Sequence, residues 1–193
     1  MYVLCDTCSV LMLIRIAPDM FTDKRYECVT VPEVRKEFFQ TQKFRTKYPW
    51  RVDFTSQIKA MPVSELEKND FEMHLSLISN LNDTGTMNER TGHFFNLSKV
   101  DQRIIAYAVT HRFTLNSTDD DLCDFAEQQF DAQITTPLGI INDWLEKGLF
   151  GWDSNLQAVI EDWDRCNEHP QPGKEVKRFI KLTGYDYPGQ IQR

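Results

Sequence analysis

The sequence lacks any apolar run long enough to cross a membrane. The longest clean one near the N-terminus, Val10 to Ile14, falls far short of the roughly 20 residues a spanning helix needs. A secretory leader pattern is missing too, because no basic stretch follows Met1 and Asp6 interrupts the apolar opening. There is no low-complexity tract and no internal repeat. Cysteine is present only as an odd, widely scattered set (Cys5, Cys8, Cys28, Cys123, Cys166), which excludes a dense disulfide framework and fits reduced thiols. Positive charge is also short, the net being −7. A soluble, cytoplasmic chain with no membrane partner is expected.

What is present is enough apolar material for a core. Hydrophobic residues make up 41% of the 193 and aromatics 12%, so one domain, or one domain with an appendage, is expected. The charge is unevenly spread. Residues 35–51 carry six basic side chains (Arg35, Lys36, Lys43, Arg45, Lys47, Arg51) against Glu37 alone, and residues 174–193 carry a net +3. The intervening 52–173 carries −13. Local patches rather than the total decide which partner binds, and two basic patches on an acidic body suit either a phosphate-bearing substrate or an acidic protein.

Along the chain, Tyr2 to Cys5 reads as a buried strand that stops at Asp6, and Ser9 opens an apolar helical stretch ending before Pro18. Tyr26 to Val29 is a second strand. Thr30-Val31-Pro32-Glu33 has capping-box spacing and predicts a helix start. Within residues 40–97, Leu66, Phe71, Leu75, Leu77, Ile78 and Leu81 predict one or two helices, with a loop over Asn82 to Gly92. Ser98-Lys99-Val100-Asp101 is another capping-box pattern, followed by the apolar face of Ile104, Ile105 and Ala108. Phe113-Thr114-Leu115 and Ile134-Thr135-Thr136 are the third and fourth strands. Helices are expected over Leu122 to Ala126 and over Leu138 to Leu145. Strands alternating with helices predict an α/β fold with a mostly parallel sheet over residues 1–147, and a C-terminal extension, 148–193, packed on it.

Ligands of open α/β sheets bind beyond the carboxyl ends of the strands. Asp6 follows the first strand and the Asp119–Asp121 cluster follows the third. Asp101 lies on the core-facing stripe of its helix, where a lone carboxylate is costly unless compensated. Glu37 lies one turn beyond Glu33. Clustered carboxylates are what Mg²⁺ or Mn²⁺ prefer, and such ions can activate water for phosphodiester cleavage. Each residue also has an ordinary alternative: Asp6 as a helix cap, Asp101 as the acid of a capping box, Asp119 to Asp121 as a solvated turn.

Four segments together resemble the PIN-domain nucleases. Leu4-Cys5-Asp6-Thr7-Cys8-Ser9 is similar to the family's opening motif. Val31-Pro32-Glu33-Val34-Arg35-Lys36-Glu37 is similar to its second, Leu97-Ser98-Lys99-Val100-Asp101 to its third, and Ser117-Thr118-Asp119-Asp120-Asp121-Leu122 to its fourth. The likeness spans residues 1–145. It implies a Rossmann-like sheet, Mg²⁺ or Mn²⁺, and endonuclease activity, most often on RNA. The implied catalytic ligands are Asp6, Glu37, Asp101 and Asp119, with Asp121 a secondary contact, Asp120 pointing away, and Thr7 and Ser117 in support. Many members are toxins held by a small antitoxin protein, so an inhibitory partner or a homodimer is a further expectation. Two features depart from the compact toxin pattern: the long stretch between Glu37 and Asp101, and the C-terminal 45 or so residues. A PIN-like module without catalysis, or a nuclease acting on DNA, are the alternatives.

Arg45, Lys47, Trp50 and Arg51 are the expected nucleic-acid contacts, with Tyr48 beside them, because they follow the helix that carries Glu37 and mix bases with aromatics. Phe38, Phe39 and Phe44 are expected in the core. A zinc site can be written from Cys5-x-x-Cys8 and Cys166-x-x-His169, but packed thiols are the simpler reading. His74, His93 and His111 are scattered, and none is spaced with a serine or cysteine for nucleophilic catalysis.

Overall fold

The computed structural model describes residues 2–166, 171–189 and 191–192, apart from the side chains of Asp164, Ile191 and Gln192. Four short strands, β1 (Val3–Cys5), β2 (Cys28–Val29), β3 (Thr114–Asn116) and β4 (Ile134–Thr135), form an all-parallel sheet in the order β2-β1-β3-β4. Val3 lies opposite both Cys28 and Thr114, and Leu115 lies opposite Ile134. Parallel strands need crossovers, and helices supply them. They are α1 (Thr7–Leu13), α2 (Pro32–Gln40), α3 (Gln42–Lys47), α4 (Lys68–Asp83), α5 (Lys99–His111), α6 (Asp120–Phe130) and α7 (Pro137–Glu146). No helix among the described residues is long and apolar enough to cross a membrane.

The α/β architecture and its parallel sheet are as the alternation of periods predicts. Ser98 and Asp101 close a full capping box at the start of α5, each side chain bonding the other's backbone N–H. The box expected at Thr30 does not form. Thr30 is fully buried, and its hydroxyl donates to the Cys5 carbonyl at 3.0 Å, so it ties β2 to β1 instead. Helix α2 starts on Pro32, whose missing N–H leaves one fewer donor to cap. Helix α1 begins at Thr7, two residues before the expected Ser9, because Asp6 caps it. Leu66, predicted to lie on a helix face, precedes α4 and is 97% exposed.

The extension holds α8 (Ser154–Arg165) and α9 (Gly173–Thr183), with β5 (Gln171–Pro172) paired in parallel to β6 (Ile191–Gln192). It shares the main core through Ile160, Trp163, Val176 and Phe179. Arg15, in the turn after α1, pairs with Asp162 of α8 at 2.7 Å. Phe38 and Phe44 are buried and Phe39 packs on the core at its edge, as expected. All five cysteines are free thiols. A hydrogen bond to Cys28, followed by burial, pushes the Cys5 thiol well up, which makes it inert. Of the paper zinc site, His169 lies outside the described residues.

Candidate metal centre

The chain passes from β1 outward to β2, then crosses back over β1 to reach β3. The crevice of an open α/β sheet opens at such a reversal, beyond the carboxyl ends of the two central strands. Asp6 and Ser117 stand there, each one residue past the end of its strand. Asp6 is only 5% exposed. Its Oδ1 accepts the Ser9 N–H at 2.7 Å, and its Oδ2 accepts the Ser117 hydroxyl. The Ser117 oxygen in turn accepts the Asp119 N–H at 3.0 Å, so one serine links the first and fourth acidic segments. Asp119 caps α6 by accepting the Leu122 N–H at 3.0 Å. Glu37 accepts the Thr7 hydroxyl, which ties α2 to the start of α1. Asp101 is held back toward Ser98, whose N–H it accepts at 3.0 Å.

The charges report the same convergence. Burial pushes the Asp6 carboxyl up to about 6, and the Asp119 charge adds to the rise, while hydrogen bonds from Ser117 and Ser9 oppose it. Burial likewise raises Asp101, with Asp119 and Glu37 adding to it and Ser98 opposing. Behind the site, burial and then the Asp6 charge push the Cys123 thiol up to about 12. The cap readings are therefore correct for Asp6 and Asp101, while Asp119, expected in a solvated turn, caps α6 as well; these caps coexist with clustering. A cap uses one or two of the lone pairs on a carboxylate and leaves the others.

The donor set fits a hard divalent cation: four carboxylates, hydroxyls beside them, and no lysine or arginine hydrogen-bonded to any of the four among the described residues. Asn116, the last residue of β3, is fully buried, and neither side-chain polar atom has a partner. An orphaned amide at the sheet's carboxyl edge is a position that water or an ion would satisfy. Among the described residues, no group of three or more His, Cys, Asp or Glu side chains is arranged to hold an ion as it stands. The caps explain this, since they turn Asp6, Asp101 and Asp119 toward their own helices. Asp121 is half-buried in the first turn of α6, and Asp120 is exposed.

Of the expected nucleic-acid contacts, Arg51 is turned inward, and Lys47 and Trp50 line a different pocket. Arg51 is 3% exposed, and its guanidinium donates to the carbonyls of Phe38, Phe39, Phe44 and Tyr48. It is a structural clamp, because its Nε, Nη1 and Nη2 each donate inward to backbone carbonyls. Tyr48 is also buried. Lys47 and Trp50 line a pocket with Leu11, Met12 and Arg15, well along α1 from Asp6, and Arg15 sits 5.2 Å over the Trp50 ring. Arg45 is exposed on α3. The cations that flank Glu37 are others: Lys36, Lys99 and Arg103 line a groove with Glu37 between α2 and α5. Arg103 is committed to Glu33 at 2.5 Å. Lys36 adjoins Glu37 in the sequence and Lys99 lies two residues before Asp101, so distance from the acidic motifs themselves was the signal that finds them.

No family model matches this chain, and comparisons with curated proteins and with solved structures return no significant match.

Proposed function

We propose that the chain is a divalent-metal-dependent endoribonuclease of the PIN type, working in the cytoplasm. The observation that supports this reading is electrostatic: the Asp119 charge acts on Asp6, and the Asp119 and Glu37 charges act on Asp101. These residues arrive from four separated segments, and the Asp6 and Asp101 carboxyls are raised by burial and by their neighbours. Asp6, Glu37, Asp101 and Asp119 would hold Mg²⁺ or Mn²⁺, with Asp121 at the edge of the set. The bound ion would lower the pKa of a water and stabilise the departing oxygen of a phosphodiester. Ser117 holds one oxygen of Asp6 and Thr7 one oxygen of Glu37, and an arriving ion would have to draw the remaining lone pairs toward itself. Lys36 and Lys99 supply positive charge to hold the phosphates beside Glu37.

The test is incubation of the purified chain with labelled single-stranded RNA, structured RNA and DNA, in Mg²⁺, Mn²⁺ or EDTA. Cutting of RNA that EDTA abolishes is the expected result. DNA cut in preference to RNA would reassign the substrate. Uncut nucleic acid in every arm would overturn the reading.

Because the carboxylates are not arranged as a finished metal cage, a binding module without catalysis is the second reading. A melting curve separates the two. At a Mn²⁺ concentration near 100 times its dissociation constant, ligand linkage stabilises by about 2.7 kcal/mol. For a chain of this length that is a rise of roughly 5–10 °C. No rise up to millimolar Mn²⁺ would favour the binding module.

A further inference from the structure

Two parts of the chain depart from the compact PIN-like pattern, the long stretch before Asp101 and the C-terminal extension, and the fold brings them to one place. The turn after α4 is fastened to α6. Asn88 is 1% exposed and donates to Asp124 at 2.9 Å, Gln128 donates back to Asn88 at 3.0 Å, and Arg90 pairs with Asp124 and Glu127. From the other side, Gln171 of the extension is fully buried and accepts the Leu138 N–H at 3.2 Å. Between them is a cleft of about 160 Å³, smaller than the usual drug-sized ligand site, so it suits no more than one small flat group. Its floor includes Ser117, the residue that also donates to Asp6, followed by Thr118 and Asp120.

The cleft has an unmet polar requirement. The Thr118 hydroxyl oxygen is buried and has no partner. The acceptors left to the wall are the Asp120 carboxylate and the Thr118 hydroxyl oxygen, since Asp124 already accepts from Asn88 and Arg90 and Thr136 from the Gly139 N–H. Arg90 is the cation at the rim, and both of its carboxylate partners hold the guanidinium plane in place. That balance repels a phosphate and favours a neutral group with N–H donors. We propose that this cleft reads the nucleobase next to the cleaved bond and prefers guanine, whose edge offers two adjacent donors to a carboxylate such as Asp120, with the Arg90 plane as a stacking surface. The proposal rests on the nuclease reading for its substrate, and on the cleft's own chemistry for its selectivity.

The experiment uses the full chain in two arms. In EDTA, equilibrium binding of the four ribonucleoside 5′-monophosphates is measured. Guanosine monophosphate is expected to bind about ten-fold more tightly than uridine monophosphate, the size of one well-made base contact. Thr118→Val combined with Asp120→Asn should erase that preference, while Thr118→Ser, which keeps the hydroxyl, should retain it and controls for folding. In Mn²⁺, cut sites are mapped on a randomised single-stranded RNA, where the same double variant should keep cutting but lose base preference beside the cut. A wild type without base preference in either arm, or a preference that survives in the double variant, overturns the pocket. A wild type that binds guanosine monophosphate selectively yet cuts no RNA overturns the nuclease reading and leaves the pocket standing.

Discussion

Asp6→Asn is expected to lower RNA cleavage by at least about a thousand-fold while making the metal-free protein more stable at neutral pH. Loss of an ion that stabilises charge by several kcal/mol accounts for the first effect, since about 4 kcal/mol is about a thousand-fold in rate. The second follows from the Asp6 carboxyl, pushed from its ordinary 3.8 to about 6 chiefly by burial. With the folded value above the unfolded one, the folded state holds the extra proton between about pH 4 and 6. Stability from this group is therefore fully present below about pH 4 and is lost as pH rises through 6. At pH 7 the ionised group costs about 3 kcal/mol. Asparagine removes that cost, but its amide nitrogen would face the Ser117 hydroxyl, which already accepts from Asp119, and the mismatch returns about 1 kcal/mol. A net gain of about 2 kcal/mol, roughly 4–8 °C in melting temperature, should appear at pH 7 and fade by pH 4. Melting in EDTA across that window, with cleavage measured alongside in Mn²⁺, checks both halves. A variant that cuts RNA at the wild-type rate would remove Asp6 from the metal site.

Arg51→Ala should have the largest effect on stability alone. The last carbonyls of a helix have no partner within it, and the dipole there favours a cation. Arg51 answers carbonyls near the ends of both α2 and α3, from a site where it is 3% exposed. Hydrogen bonds with a charged partner contribute about 1.5–3 kcal/mol each, and several lost from one side chain do not add fully. A loss of about 3–5 kcal/mol, roughly 10 °C in melting temperature, is expected. Arg51→Lys should recover only part of it, because an ammonium lacks the planar fork that reaches separated carbonyls. Unchanged melting together with a shallower salt dependence of RNA binding would return Arg51 to the phosphate contacts.

The contrast between these two residues shows where local reading stops. Asp6 announced itself by position, directly after an apolar strand and before a helix, and the same locality made the Ser98–Asp101 box and the parallel sheet legible. Arg51 sits in a run of bases and aromatics that looks like a grip for nucleic acid. Its direction depends on carbonyls of residues 38, 39 and 44 folding around it. Thr30 is a similar case, drawn off a capping box by the Cys5 carbonyl, 25 positions away.

By itself, then, the sequence determined the alternation of strand and helix, the start of α5, and which acidic residues stand at strand ends. Those features rest on hydrogen bonds and apolar periods spanning a few residues. Only the tertiary structure decided that Lys36 and Lys99, not Lys47 and Arg51, flank Glu37, and that the turn at Asn88 and the strand at Gln171 wall one cleft beside Ser117. The destination of a long polar side chain is set by which distant backbone and side-chain groups need a partner, and that is known only once the chain has closed on itself.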